Sequence, residues 1–104
     1  MNITPESLVE IRKLRIEKKF LAVGLYPGVP DEDTRLRCEA SVNLLIDDVL
    51  ALLERGALRD EILSRAKQAL DFFSEEDTEE HERADDYVGD LMRGMGIDDW
   101  TDFI

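Results

Sequence analysis

The sequence predicts an all-α protein, a single-domain antiparallel bundle of about four helices with a C-terminal turn docked on it. Three observations support this prediction. Apolar residues recur at helical spacing over four segments, Gly and Pro interrupt this pattern after the first two segments, and 104 residues is the length of one domain. We therefore expect one helical domain over residues 1–104, since short connections favour antiparallel neighbours.

The first predicted helix begins with Thr4 as its N-cap and Pro5 in its first position. Its apolar pattern continues to about residues 20–22 and divides into two opposite groups. The first group is Leu8, Ile11, Leu14 and Leu21, and the second is Val9, Ile16 and Phe20. A surface helix needs only one apolar stripe. Either this helix is packed on both sides within its own fold, or the second group forms a self-association surface.

The second helix is predicted to begin near residues 30–33, after a loop rich in Gly and Pro, and to end at about Arg55. Gly56 is a typical residue after a helix end. The apolar face of this helix has the strongest periodicity in the chain, so we expect it to form the core. Its members are Cys38, Val42, Leu45, Ile46, Val49, Leu52 and Leu53.

The third helix is predicted over about residues 58–73, and the fourth begins at Asp77 or Thr78. Asp77 and Glu80 have the spacing of a capping box. The inward stripe of the third helix is Leu58, Ile62, Ala66, Ala69 and Phe73, with Leu63 and Leu70 beside it. The inward stripe of the fourth helix is Ala84, Tyr87, Val88, Leu91, Met92 and Met95.

The last residues, 97–104, predict one further helical turn capped by Asp98. Trp100, Phe103 and Ile104 are costly to expose to water. We therefore expect this turn to dock on the body of the bundle.

The net charge of −12 is unevenly distributed. Residues 71–104 carry thirteen acidic and two basic side chains, a net charge of −11. Binders of nucleic acids or anionic membranes need basic surfaces, so neither class of partner is expected. The sequence also has a single cysteine, no visible signal peptide and no apolar segment of membrane-spanning length. It therefore predicts a cytoplasmic protein, since reducing compartments suit a lone thiol.

Two residues are candidates for nucleophilic or acid–base chemistry, and neither has the required surroundings. Cys38 lies on the apolar face of the second helix, where a cysteine behaves as a small hydrophobic residue. His81 lies among Glu79, Glu80 and Glu82 in the first turn of the fourth helix, which predicts a solvated side chain. We therefore predict no catalytic residue, no cofactor and no enzymatic activity.

Two segments partly match metal-binding patterns. Asp31-Glu32-Asp33 begins like a calcium loop, but Arg35 and Leu36 occupy positions that need an oxygen ligand and a glycine. A di-iron bundle needs Glu three residues before His81, where this chain has Thr78. Neither pattern fits.

The acids of residues 75–79, with Asp99 and Asp102, resemble the acidic spacing of the all-helical nucleotide pyrophosphatases, which bind magnesium through Glu and Asp on paired helices. Here the acids lie at a helix junction and in a short tail. Helix capping and solvation explain them without a metal. A magnesium-dependent nucleotide hydrolase remains an alternative, and no metal site is predicted.

The acidic last third favours a binding surface for a protein with a basic surface, because opposite charges accelerate association. A toxin or a nuclease is a partner of this kind, since a groove that binds phosphate is basic. The candidate partner-binding residues are Glu75, Glu76, Glu79, Glu80, Glu82, Asp85, Asp86, Asp98, Asp99 and Asp102.

Several short segments carry a family resemblance. They are Leu70-Asp71-Phe72-Phe73, Asp77-Thr78-Glu79 and Tyr87 followed by Leu91-Met92 and Gly94. This pattern resembles a family of small bacterial all-helical proteins of unknown function, which implies a helical fold and no reaction. Small acidic proteins of this kind are often immunity or antitoxin proteins. The leading hypothesis is therefore a cytoplasmic immunity- or antitoxin-type inhibitor, and the alternative is a self-associating helical scaffold or homodimer.

Overall fold

The structure is a computed structural model that describes residues 3–29, 31–74 and 78–103, without the side chain of Thr78. The helices are α1 (Pro5–Ile16), α2 (Glu32–Glu54), α3 (Arg59–Phe73), α4 (Thr78–Gly94) and α5 (Trp100–Phe103). Helix α2 packs against α1, α3 and α4, and α4 also contacts α1 and α3. The predicted all-α bundle is confirmed. Among the described residues, none of the helices combines the length and the apolarity needed to cross a bilayer.

The start of α1 follows the prediction, but its end does not. The Thr4 hydroxyl oxygen accepts a hydrogen bond from the backbone N–H of Ser7, and Pro5 follows as the first helical residue. The helix ends at Ile16, and Glu17 is already extended. The Lys19 ammonium donates to the carbonyl oxygens of Arg15 (3.3 Å) and Glu17 (2.9 Å). These contacts satisfy backbone carbonyls at the end of the helix. Because the helix ends at Ile16, the predicted continuation to residues 20–22 is wrong.

Phe20 turns from the end of α1 into the core. Its φ angle of 62° is a left-handed conformation that a bulky residue rarely adopts, and its side chain is completely buried. The backbone N–H of Phe20 donates to the Tyr87 hydroxyl at 2.8 Å. Its ring stacks on Phe73 and meets Tyr87 edge-on. Phe20 is therefore not available to the self-association surface that its predicted helical position suggested.

Two charged side chains hold the backbone of Lys19, and a third holds one of these two. The Glu39 carboxylate accepts a hydrogen bond from the backbone N–H of Lys19 at 2.7 Å. Arg35 donates to the carbonyl oxygen of Lys19 at 3.0 Å and to Glu39 at 2.9 Å. Glu32 pairs with the same guanidinium at 2.8 Å. We call Glu32, Arg35 and Glu39 the α2 clamp, because all three belong to α2.

The contacts around the α2 clamp shift the pKa values of its members and of Lys19. Burial opposes the charge on Glu39, but hydrogen bonds from the Lys19 backbone and from Arg35 outweigh it and lower the pKa of Glu39. Hydrogen bonding to Glu32 is the main cause that raises the pKa of Arg35. Burial lowers the pKa of the Lys19 ammonium.

The core follows the predicted stripes of α2, α3 and α4 with few exceptions. Cys38 is buried, as expected, in a cluster that includes every predicted inward residue of α4. Leu52 and Leu53 are only partly buried. Leu58 is 68% exposed, because it precedes α3 as its N-cap residue instead of belonging to the stripe. Asp77, the first residue of the predicted capping box, lies outside the described residues.

The C-terminal turn docks through different residues from those predicted. Ile97 is buried and Trp100 is partly buried against the core. Phe103 is 43% exposed, so the expectation that it docks is wrong, and Ile104 lies outside the described residues. Helix α5 begins at Trp100, two residues after Asp98, so a cap by Asp98 is not in register with it.

Replacing Tyr87 by Phe should lower the free energy of unfolding by about 1–3 kcal/mol, because the buried N–H of Phe20 loses its acceptor. Urea unfolding followed by circular dichroism measures this change. Hydrogen exchange at the Phe20 amide should accelerate in the variant. An unchanged urea midpoint would contradict the assignment of this hydrogen bond.

The α2 clamp predicts a pH dependence. The fold lowers the pKa of Glu39 from its ordinary value of 4.5, so charged Glu39 contributes stability above that value and this contribution is lost as the pH falls through the folded-state pKa. Between about pH 6 and about pH 3, the wild-type protein should therefore lose more stability than the Glu39→Gln variant. Urea unfolding at each pH measures the difference.

The matched control is Glu54→Gln, which changes an exposed carboxylate of the same helix. The control should follow the wild-type pH curve. A residual loss is expected in the Glu39→Gln variant, since hydrogen bonds also lower the pKa values of Asp31 and Glu32. If stability had the same pH dependence in the wild type and in Glu39→Gln, the α2 clamp would not favour the charged form of Glu39.

Candidate functional site

Residues 21–26, which we call the apolar turn, form a closed loop after Phe20. The backbone N–H of Val23 donates to the carbonyl of Tyr26 at 3.0 Å, and the N–H of Tyr26 donates to the carbonyl of Val23 at 2.9 Å. Gly24 supplies the positive φ that this tight turn needs. Gly28 lies against the backbone of Ala22, where a Cβ would be 2.9 Å from the Ala22 nitrogen. The turn is therefore held in one conformation.

Tyr26 fixes the apolar turn to α4. Its hydroxyl donates to a Glu80 carboxylate oxygen at 3.3 Å. The guanidinium of Arg83 lies 4.5 Å from the centre of the Tyr87 ring and 6.0 Å from that of Tyr26, within the range of cation–π attraction. Burial raises the pKa of Tyr26, and the charge of Glu80 raises it further. Tyr26 thus remains a neutral hydrogen-bond donor.

The apolar turn exposes three large side chains to water. Leu25 is fully exposed, Val23 is 52% exposed and Leu21 is 47% exposed. Single exposed apolar residues are ordinary, but three within five residues of one fixed loop form an apolar patch that is typical of interaction sites. Because these side chains remain in water, the fold gains little hydrophobic stabilisation from them. The free-energy cost of exposing them is therefore not offset within the chain.

Carboxylates of α4 lie beside this patch at Leu25. A recess of 210 Å³ lies between Leu25, Tyr26 and Pro27 on one side and α4 on the other. Glu79 and Glu82 line it and are exposed. Asp86 also lines it, 3.4 Å from the guanidinium of Arg83. We define the turn surface as Leu21, Val23, Leu25, Glu79, Glu82 and Asp86.

The structure divides the predicted partner-binding acids among different places. Glu80 is 5% exposed and hydrogen-bonded to Tyr26, so its assignment to an acidic surface is wrong. Asp99 pairs with Arg59 at the start of α3, and Asp98 and Asp102 are exposed in the tail. Among the predicted acids that the structure describes, Glu79, Glu82 and Asp86 line the recess beside the apolar turn. Glu75 and Glu76 lie outside the described residues.

Asp85 and His81 lie in a second groove, which Asp86 of the turn surface also lines. His81 is partly exposed, and its Nδ1 is 3.6 Å from the Asp85 carboxylate. Burial raises the pKa of Asp85, while His81 acts in the opposite direction. The side chain of His81 is 39% exposed, so it is partly solvated at the edge of this groove.

Part of the acidic spacing that resembles the magnesium-binding nucleotide pyrophosphatases lies outside the described residues. Within residues 3–29, 31–74 and 78–103, no three His, Cys, Asp or Glu side chains are grouped as a metal site. Residues 75–77 are outside these ranges, so the full acidic spacing of the nucleotide pyrophosphatases is not tested. Of its remaining members, Asp99 is ion-paired with Arg59.

Sequence reasoning missed the apolar half of the turn surface. The apolar spacing places Leu21 in the first apolar group of the predicted first helix, and Val23 and Leu25 fall in the loop that follows it. The alternation of Leu21, Val23 and Leu25 just before Pro27 and Gly28 could have identified them. Large apolar residues are unusual at every second position of a loop that contributes to no sheet.

One comparison with known proteins gave a match. A family model described as a domain of unknown function, DUF4844, matches residues 2–102. The chain belongs to this family. No curated protein and no solved structure matches the chain. Membership of DUF4844 confirms the resemblance to a family of unknown function, and the matched residues include both the apolar turn and the acids of α4.

Replacing Gly28 by Ala should destabilise the protein more than replacing Gly24 by Ala. Both residues have positive φ angles, which cost a non-glycine residue about 1–2 kcal/mol. At Gly28 the added methyl also meets the Ala22 backbone, whereas nothing lies within 4 Å of a Cβ at Gly24. Urea unfolding of the two variants measures the difference. Equal losses would show that the base of the apolar turn can adjust to a side chain.

Proposed function

We propose that this chain is a non-catalytic protein-binding module that engages a basic protein partner through the turn surface. The observation that carries the proposal is the fixed apolar turn beside exposed carboxylates of α4. Burying a leucine side chain such as Leu25 against a partner contributes about 1.5–3 kcal/mol. The carboxylates attract a positively charged surface and orient its approach.

The rigidity of the turn supports this proposal. Binding orders side chains and loops, and this ordering opposes association. The backbone hydrogen bonds between Val23 and Tyr26, together with the contacts of Tyr26 to α4, order the apolar turn before any partner arrives. The apolar and charged parts are also presented at fixed relative positions.

The most concrete form of the proposal is a cytoplasmic immunity- or antitoxin-type inhibitor of a nuclease or another toxin with a basic groove. In such a complex, Glu79, Glu82 and Asp86 would take the place of substrate phosphates, and Leu25 would fill an apolar recess nearby. The net charge of −12 favours this kind of partner over nucleic acids and anionic membranes.

The proposed partner for this experiment is the purified protein encoded by the neighbouring gene. The apolar and the acidic parts of the turn surface should affect binding to it in different ways. Leu25→Ser should weaken the complex about tenfold, mainly by faster dissociation, because a buried leucine is lost. Glu79→Gln with Glu82→Gln should slow association and reduce its dependence on salt. Surface plasmon resonance at several salt concentrations measures both effects.

The control is Ile16→Ser, because Ile16 is 81% exposed at the end of α1 and does not belong to the turn surface. This control should bind as the wild-type protein does. A complex that is unaffected by Leu25→Ser and by the two Glu→Gln changes would contradict the turn surface as its interface. Failure of the two purified proteins to associate would contradict an inhibitor of the neighbouring product.

A self-associating scaffold is the second candidate function, and exposed apolar residues of α1 favour it. Val9 is 50% exposed and Ile16 is 81% exposed. A homodimer through this face would bury both residues without using the turn surface. Sedimentation velocity distinguishes the candidates, since a wild-type monomer at micromolar concentration would contradict the scaffold.

A further inference from the structure

A groove of 490 Å³ lies where α4 meets the end of α3 and helix α5. His81, Asp85 and Gly89 follow one another at intervals of one helical turn along its α4 side. Leu70 and Asp71 of α3 and Trp100 of α5 line the other sides. The groove therefore places an aromatic ring and an aliphatic side chain beside a mostly polar lining that includes three carboxylates, those of Asp71, Asp85 and Asp86.

Gly89 allows the walls of this groove to approach each other. A Cβ at Gly89 would lie 3.1 Å from Nη1 of Arg93 and 3.4 Å from Cζ2 of Trp100. A glycine inside a helix costs about 1 kcal/mol relative to alanine. At this position it leaves space for the guanidinium and the indole to lie close over the helix backbone.

The carboxylate of Asp85 in this groove is incompletely neutralised, whereas that of Asp86 is paired with Arg83. The described ion pair of Asp85 is with His81 at 3.6 Å, which is longer than a hydrogen bond. Burial raises the pKa of Asp85, against the effect of His81, and the charges of Asp86 and Glu82 raise it further. By contrast, the one guanidinium in the lining, Arg93, is paired with Asp90 at 2.6 Å. A carboxylate that is partly removed from water beside other acids favours a bound cation.

We propose that this groove binds a guanidinium group, held by the carboxylates of Asp85 and Asp71 against the indole of Trp100. A guanidinium is planar and weakly hydrated, it donates two parallel hydrogen bonds to a carboxylate, and it stacks on aromatic faces. An alkylammonium ion is more strongly hydrated and lacks the planar face. The groove shares Asp86 with the turn surface, but guanidinium binding by Asp85 and Asp71 does not depend on the proposed function.

The guanidinium could come from an arginine side chain of a protein or from a free small molecule. N-acetyl-L-arginine amide represents the side chain within a polypeptide, and agmatine represents a free small cation. N-acetyl-L-citrulline amide is the neutral control of the same shape. Trp100 is the single tryptophan of the chain, so its fluorescence reports directly on the groove.

In a fluorescence titration, N-acetyl-L-arginine amide should give a saturable change, and the citrulline control should bind at least about tenfold more weakly. Asp85→Asn should weaken arginine binding about tenfold. This variant should fold normally, because burial already disfavours the charge that it removes. Asp60→Asn, at the opposite end of α3, is the matched control and should bind as wild type does.

Titration with agmatine, compared with that of N-acetyl-L-arginine amide, distinguishes the two sources of the guanidinium group. Comparable or tighter binding of the capped arginine supports an arginine of a protein, and distinctly tighter binding of agmatine supports a free small cation. The proposal is overturned if no saturable change occurs with either cation. Equal affinity for the citrulline control, or equal affinity of Asp85→Asn and wild type, would overturn it as well.

Discussion

The hydrogen bond from the Phe20 backbone to the Tyr87 hydroxyl fixes the change of chain direction on which the rest of the structure depends. Because Phe20 adopts a left-handed conformation and enters the core, α1 ends early and the next residues pass over the outside of α4. The rings of Phe20, Phe73 and Tyr87 then join α3, α4 and the end of α1 in one cluster. Without this turn into the core, α1 could continue to about Leu21, as its apolar spacing predicts, and the loop with Val23 and Leu25 would begin from a different position.

Helix α4 therefore supports the apolar turn at both ends. Tyr87 holds Phe20 on one side, while Glu80 and Arg83 hold Tyr26 on the other. The same helix presents Glu79 and Glu82 to solvent beside the turn. The acidity of α4 thus has two physical roles, since one carboxylate is used inside the fold and its neighbours remain available to a partner.

The helices α2, α3 and α4 could be predicted because their information is local, in apolar periodicity and in residues such as Gly56 that follow helix ends. The end of α1 could not, since apolar spacing continues through Phe20 and the break depends on Glu39 and Tyr87, which are 20 and 67 residues away. The same limit applies to the site. Glu79, Glu80 and Glu82 are equivalent in the sequence, and only the contact with Tyr26 separates the buried carboxylate from the exposed ones.

The α2 clamp has a geometric role that apolar residues could not replace. Buried ion pairs often contribute little net stability, and well-packed hydrophobic residues can substitute for many of them. Here, however, Glu39 and Arg35 also bond the N–H and the carbonyl of Lys19, which is itself buried. An apolar pair would leave both backbone groups without partners, at a cost of about 1–3 kcal/mol for each. The charges of the clamp are therefore best understood as partners of the Lys19 backbone, which hold the chain in position just before Phe20 turns into the core.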